Sequence, residues 1–231
     1  MFVASGVCCM KIALLGYGKM GKRVEALAES MGVSVVSRLG REKGDLLDAE
    51  VCIDFSHGDA VLEHAKACAN LGKSLVIGTT GWESSIEAVR ELAQGIGIFY
   101  APNFSLGVHL FLKILKEASD LISPFTEYKA GICEWHHEHK KDAPSGTALE
   151  MQRHMKGRVG IVSSRLGSIP GTHMALFDGP DDTITLQHTA RSRDGFARGA
   201  LEAALWLRGK RGFYTLDDYL ELKNQSCRLL T

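Results

Sequence analysis

"KIALLGYGKMGKRVEALAES", residues 11–30, decides how this chain folds. A short apolar run ends at a glycine, and Gly16, Gly18 and Gly21 follow in GxGxxG spacing straight into an amphipathic segment. That pattern is a buried strand over 11–16, a tight turn, and a helix over 21–30. The first glycine makes the turn. The second lets backbone approach a pyrophosphate, and the third lets the helix pack closely on the strand. The helix start adds amide N–H groups and a partial positive charge, both suited to phosphate.

Outward from this unit the rhythm repeats. Strands are expected over 33–37, 49–56, 73–81 and 96–105, with helices over 59–72 and 83–94 between them. Continuously apolar strands separated by helices form a parallel sheet covered on both faces. After a helix over 106–122 the pattern turns strand-rich, and 172–178 and 182–189 flank "GPDD" as a hairpin. Helices over 196–209 and 216–224 close the chain. The expected fold class is α/β: a Rossmann-type doubly wound parallel sheet plus a smaller α+β domain with an open, mostly antiparallel or mixed sheet. The boundaries expected are 1–104 with 195–231 for the first domain and 105–194 for the second.

Two further turns sit at strand carboxyl ends, where ligands bind in such sheets. They are Gly78-Thr79-Thr80-Gly81 and Ala101-Pro102-Asn103-Phe104. With the glycine loop they place three small-residue turns on one rim, which reads as a cofactor cleft. The second strand ends "VSVVSRLGREK", residues 33–43, with Ser37 where an acid selecting NADH would sit and Arg38 next. Arg41 and Lys43 follow, and no carboxylate occupies the strand tip, although Glu42 is near. A guanidinium pairs well with a 2′-phosphate, so NADPH is expected over NADH.

The composition removes other classes. Lys+Arg and Asp+Glu balance at 27 each in 231 residues, without the basic excess that nucleic acid binding needs. No apolar run approaches the roughly 20 residues of a membrane span. The six cysteines have no CxxC spacing and read as buried or free thiols in a reducing, cytoplasmic setting.

The chemistry concentrates in "EWHHEHKKDAPSGTA", residues 134–148. A metal site could draw on His136, His137 and His139, and the last two would share a face if the strand continued. Zinc sites, however, want further ligands in set geometry, and no second cluster with ligand spacing is evident in the sequence. An anion pocket fits better. Lys140, Lys141 and the histidines supply donors, and Ser145-Gly146-Thr147 opens a helix whose N-terminus can take a carboxylate. Thr147 and Glu150 have capping-box spacing, so a plain capping role for Ser145 and Thr147 is open too. A histidine beside a lysine suits proton transfer, because the lysine charge holds down the histidine pKa.

The same stretch resembles the signature of the 4-hydroxy-tetrahydrodipicolinate reductase (dihydrodipicolinate reductase) family. "GYGKMG", "IDFS", "VIGTTGW", "APNFSLGV" and "TARSRDGFARGALEAALWL" extend the likeness, in order, along nearly the whole chain. The resemblance implies an NAD(P)H-dependent oxidoreductase of diaminopimelate and lysine biosynthesis acting on a cyclic dicarboxylate. It implies His136 as acid or polarising group and Lys140 as proton donor beside the reduced carbon. His137, Gly146 and Thr147 would bind the substrate carboxylates. Gly16, Gly18, Lys19, Met20 and Gly21 would hold the pyrophosphate, and Gly78, Thr79, Thr80 and Ala101, Pro102, Asn103 and Phe104 the nicotinamide side. No metal is implied, and a homotetramer built through the second sheet is. The glycine loop is one residue shorter than the family's common form, the segment after Ala148 is trimmed, and position 138 is Glu. Two other readings stand beside this one: another two-domain Rossmann oxidoreductase acting on a small anionic substrate, and a non-enzymatic redox sensor.

Overall fold

A computed structural model describes residues 9–40 and 45–228, so Arg41, Glu42 and Lys43 lie outside the described residues. In chain order the elements are β1 (Met10–Leu15), α1 (Lys19–Ala28), β2 (Val33–Leu39), β3 (Val51–Asp54), α2 (Val61–Asn70), β4 (Ser74–Ile77), α3 (Ile86–Leu92) and β5 (Gly97–Tyr100). Then come α4 (Leu106–Ile122), β6 (Lys129–His136), α5 (Gly146–His154), β7 (Gly160–Arg165), β8 (Thr172–Asp178) and β9 (Thr183–Thr189). The chain ends with α6 (Asp194–Leu207), β10 (Gly212–Tyr214) and α7 (Leu216–Arg228). It divides into two compact units, Met1–Phe104 with Phe196–Thr231, and Ser105–Gly195.

The first unit is a six-stranded sheet in the order β10-β5-β4-β3-β1-β2, all parallel. Its strands are apolar on both faces, with Ile12, Leu14, Ile53, Leu75, Ile77 and Ile98 fully buried, as helices on each side require. Strand β2 runs two residues beyond the expected 37, because Leu14 pairs with Arg38 and Leu15 with Leu39. Arg38 therefore stands in the strand, not in the loop after it. Strand β10 is three residues long, below what periodicity can reveal.

The second unit carries a mixed four-stranded sheet, β7-β6-β8-β9, with β6 and β7 parallel and the other pairs antiparallel. Helices α4 and α5 cover one face over a core that includes Phe111, Leu115, Ile132, Met151 and Phe177. Side chains alternate along β6, so Ile132, Glu134 and His136 are buried while Cys133 and Trp135 lie on the opposite, less covered face. Two charged or polar residues thus enter a core that their neighbours keep apolar.

Candidate active site

In the first unit the glycine loop is shaped by backbone contacts. Gly16 has φ +92°, and a Cβ there would collide with the Phe55 carbonyl oxygen. Gly18 is the N-cap of α1, and a Cβ on it would meet nothing within 4 Å. A ligand can therefore reach the Gly18 backbone at the helix start. The residues present fit a dinucleotide pyrophosphate.

Lys19, Met20, Gly78, Thr79 and Thr80 meet in one cleft of about 510 Å³, together with Phe55, Ser56, His57 and Gly58. A buried carboxylate fastens its walls. Asp54 Oδ1 accepts from the Ser56 amide at 2.8 Å, the Ser56 hydroxyl at 2.6 Å and the Thr79 hydroxyl at 2.7 Å. Its Oδ2 lies 2.8 Å from His64 Nδ1. Thr79 is buried, its hydroxyl bonded to Asp54 and its carbonyl accepting from Trp82 Nε1, so the side chain braces the loop while Thr80 is exposed. Ala101, Pro102, Asn103 and Phe104 follow β5 and are not among the residues lining that cleft. The Phe104 ring is in the core, 5.8 Å from Phe99 and 6.2 Å from Phe55 between centroids. In sequence, Asp54 and Ser56 carry no signal beyond their place at a strand end.

Arg38 corrects a second expectation. A carboxylate does reach the tip of β2, and it comes from α1: Glu25 accepts from Arg38 Nε at 2.7 Å and from its Nη2. Nothing local to the strand announces this pairing, because residues 25 and 38 meet only once α1 packs beside β2.

In the second unit a polar cluster forms around Glu134, which is fully buried. Glu134 Oε1 accepts from the Ser145 amide at 3.0 Å and from Arg165 Nη2 at 3.1 Å. Glu134 Oε2 lies 3.2 Å from His136 Nδ1 and 3.7 Å from His173 Nε2. The His136 and His173 rings stand edge to face with centroids 5.0 Å apart, and the Ser145 hydroxyl is 3.1 Å from His173 Nε2. Sheet register explains the convergence: His136 pairs with Arg165 on β7, and Glu134 with His173 on β8. Arg165 also donates to the carbonyls of Lys140 and Asp142, which ties the loop after β6 to the sheet. Lys140 Nζ donates to both Asp142 oxygens at 2.7 and 2.8 Å. Gly171 makes room for the imidazole; it has φ +155°, and a Cβ on it would stand 3.0 Å from His136 Nε2.

The environment sets the protonation states. Burial by itself would raise the Glu134 pKa, but hydrogen bonding from Ser145 and the Arg165 guanidinium outweighs it and holds the carboxyl at about 2. His136 is lowered, chiefly by burial and further by the Lys140 and Arg165 charges, while Glu134 opposes the shift. The lysine effect expected from sequence is present, but burial leads. His173 falls to about 4, through burial and the neighbouring His136.

Strand β6 ends at His136, so His137 and His139 do not continue it; Lys140 N donates to the His137 carbonyl at 3.1 Å in a turn. His139 is exposed and His136 buried, which separates the three histidines weighed as metal ligands. A different trio gathers instead. Among the described residues Glu134, His136 and His173 place one potential ligand atom each within 4.8 Å of one another. The Arg165 guanidinium on the same carboxylate, at 3.1 Å from Glu134 Oε1, opposes a cation there. The capping-box reading of Thr147 is also corrected. The N-cap of α5 is Ser145, whose hydroxyl accepts from Ala148 N at 3.1 Å, and Glu150 pairs with Arg153 instead. Gly146 and Thr147 occupy the first helical turn, where amides lack an intrahelical acceptor.

Family models described as dihydrodipicolinate reductase, N-terminus and C-terminus, match residues 33–104 and 107–220. The chain belongs to the dihydrodipicolinate reductase family. A 4-hydroxy-tetrahydrodipicolinate reductase from Christiangramia forsetii is 36% identical over 91% of this chain and 98% of its own length. One from Archaeoglobus fulgidus is 35% identical over 92% and 100%. Among solved structures, a dipicolinate-bound dihydrodipicolinate reductase from Paenisporosarcina sp. TG-14 has a TM-score of 0.69 at 22% identity, covering 89% of this chain and 97% of that one. The N-terminal match begins after the glycine loop.

Proposed function

We propose that the chain reduces 4-hydroxy-tetrahydrodipicolinate to tetrahydrodipicolinate with NAD(P)H, a step of diaminopimelate and lysine biosynthesis. The observation that carries this reading is near-full-length likeness to reductases of that name. Support also comes from the signature stretch, where the Lys140 charge acts on His136 and the Ser145 amide at the start of α5 donates to Glu134. Bound NAD(P)H supplies the hydride; a proton completes the reduction, and the 4-hydroxyl leaves as water. The first unit would hold the cofactor: Gly16, Gly18, Lys19, Met20 and Gly21 at the pyrophosphate, Gly78, Thr80 and Ala101–Phe104 toward the nicotinamide, and Thr79 as their brace. Arg38 favours NADPH modestly.

The second unit would hold the substrate, with His137 and the first-turn amides and hydroxyl of Gly146 and Thr147 on its carboxylates. His136 and Lys140 move the proton. Support comes from Glu134 Oε2 and His136 Nδ1, buried polar atoms with no hydrogen bond among the described residues, an arrangement suited to holding a proton between uses. The less covered face of the second sheet, with Trp135, Cys133 and the exposed Val162, supports a homotetramer built through it. No described helix is long and apolar enough to cross a membrane.

The test mixes the protein with NADPH and the freshly generated product of the preceding synthase. Loss of nicotinamide absorbance only in the presence of both is the expected result. No loss, or oxidation of an amino acid or polyol with NADP⁺ instead, would overturn the assignment.

A further inference from the structure

Tyr17, Glu25 and Arg38 join three elements at one corner of the first unit: the glycine loop, α1 and the end of β2. Glu25 Oε1 takes the Arg38 guanidinium, and Glu25 Oε2 accepts the Tyr17 hydroxyl. The guanidinium carbon is 6.0 Å from the Tyr17 ring centroid, and Lys22 Nζ is 5.9 Å from it. The Arg38 partner first holds the Glu25 carboxyl low, and Tyr17 adds to this, so the group is an anion at neutral pH. In a sheet of this kind the end of the second strand meets the adenosine ribose. A 2′-phosphate docking there must draw Arg38 away from Glu25 and then lie beside that carboxylate. A 2′-hydroxyl meets no such conflict, because it can donate to the same oxygens.

We propose that Glu25 is a specificity-determining residue of the cofactor site: it occupies Arg38 and lowers the selection for NADPH over NADH. This rests on the cofactor reading above. The pair is partly exposed, with side-chain exposures of 42% for Arg38 and 26% for Glu25, so its effect is moderate.

The test is direct binding of NADPH and NADH, followed by nicotinamide fluorescence, to the full chain and its variants. Glu25→Gln should shift the Kd ratio toward NADPH by roughly fivefold. Tyr17→Phe, which frees one carboxylate oxygen without touching the charge, should not reproduce that shift. Arg38→Ala should weaken NADPH about tenfold more than NADH. In the Arg38→Ala background Glu25→Gln should move the ratio by less than it does in the parent, because only the carboxylate beside the phosphate is then removed. An equal shift in both backgrounds would overturn the claim that Glu25 occupies Arg38. An unchanged ratio in Glu25→Gln, with a melting temperature like that of the parent, overturns the proposal. Where Glu25→Gln does not fold, Glu25→Ala, which also removes the charge, serves, and a ratio that stays at the parent value overturns it equally. Parent protein that binds neither nucleotide sinks the cofactor reading together with this proposal. Binding with a shifted ratio but no substrate turnover sustains the role of Glu25 and sinks only the substrate assignment.

Discussion

The glycine rim of the first unit and the polar cluster of the second are built in opposite ways. On the rim, shape comes from backbone: the Gly16 turn, the open Gly18 amide and the loop after β4, pinned from below by one carboxylate, Asp54. In the cluster, shape comes from side chains that β6, β7, β8 and α5 carry to a single carboxylate, Glu134. A backbone site tolerates exchange of its exposed side chains and fails when a Cβ intrudes. A convergent side-chain site fails when any member loses its charge or its hydrogen bonds. The two regions should therefore break differently under mutation, and the differences can be ranked.

The largest effect is expected at His136 and Lys140, the pair proposed to handle the proton. Lys140→Ala and His136→Ala should each lower kcat by roughly 10²–10⁴-fold while leaving nucleotide affinity nearly intact. Steady-state rates beside NADPH fluorescence titration check this, and variants within threefold of the parent would remove both residues from the mechanism. Next comes Glu134→Ala, which strands Arg165 without its buried partner and should cost about 3–5 kcal/mol of stability in urea unfolding. A loss below 1 kcal/mol would mean that the cluster does not hold the second sheet together.

Acid should weaken the cluster. His173 is depressed from 6.5 to about 4 in the folded protein, so the unfolded chain binds the extra proton first. Stability from this group is full above pH 6.5 and is lost as pH falls toward 4, by about 3 kcal/mol at most. Glu134 adds a later loss, because its carboxyl is held at about 2 against 4.5; its contribution is full above 4.5 and gone below 2. Unfolding free energy measured between pH 7 and 4 should show the first limb, and His173→Asn should flatten it. A parent curve flat over that range would contradict the burial argument.

On the rim, Gly16→Ala should destabilise the first unit by about 1–3 kcal/mol, because both its φ and its neighbour Phe55 exclude a side chain. Gly18→Ala should fold normally and bind nucleotide more weakly, since its added methyl meets only the space a pyrophosphate would need. Equal effects at the two glycines would erase the distinction between turn and contact. The smallest effect is expected from Thr147→Val. Because Ser145 is the cap, melting temperature should hold while KM for the dicarboxylate rises by the equivalent of about 1 kcal/mol. A lowered melting temperature with unchanged KM would return Thr147 to a purely structural role.

These contrasts also explain what could be read before folding. The rim was legible because its turns are contiguous in sequence: GxGxxG, then Gly78–Gly81, each directly after an apolar strand. The parallel sheet was legible for the same reason, apart from β10. The cluster was legible only where it is contiguous, at His136, Lys140 and Gly146. Glu134 had one local signal, since it sits two positions before His136 on an alternating strand and so shares its face. Arg165 and His173 had none, because their approach depends on which strands pair and in which register, and several registers satisfy the same apolar pattern. Glu25 was missed likewise, its partner being thirteen residues away on a different element.

Gly171 carries a consequence of its own. It lies thirty-five positions from His136 in sequence, donates nothing to the chemistry, and yet any substituent on its α-carbon would press on Nε2 of that imidazole. In a saturation library scored by growth without an external source of the product, every substitution at 171 should be depleted about as strongly as substitutions at 136. The vacancy beside a working group would then be inherited as strictly as the group itself.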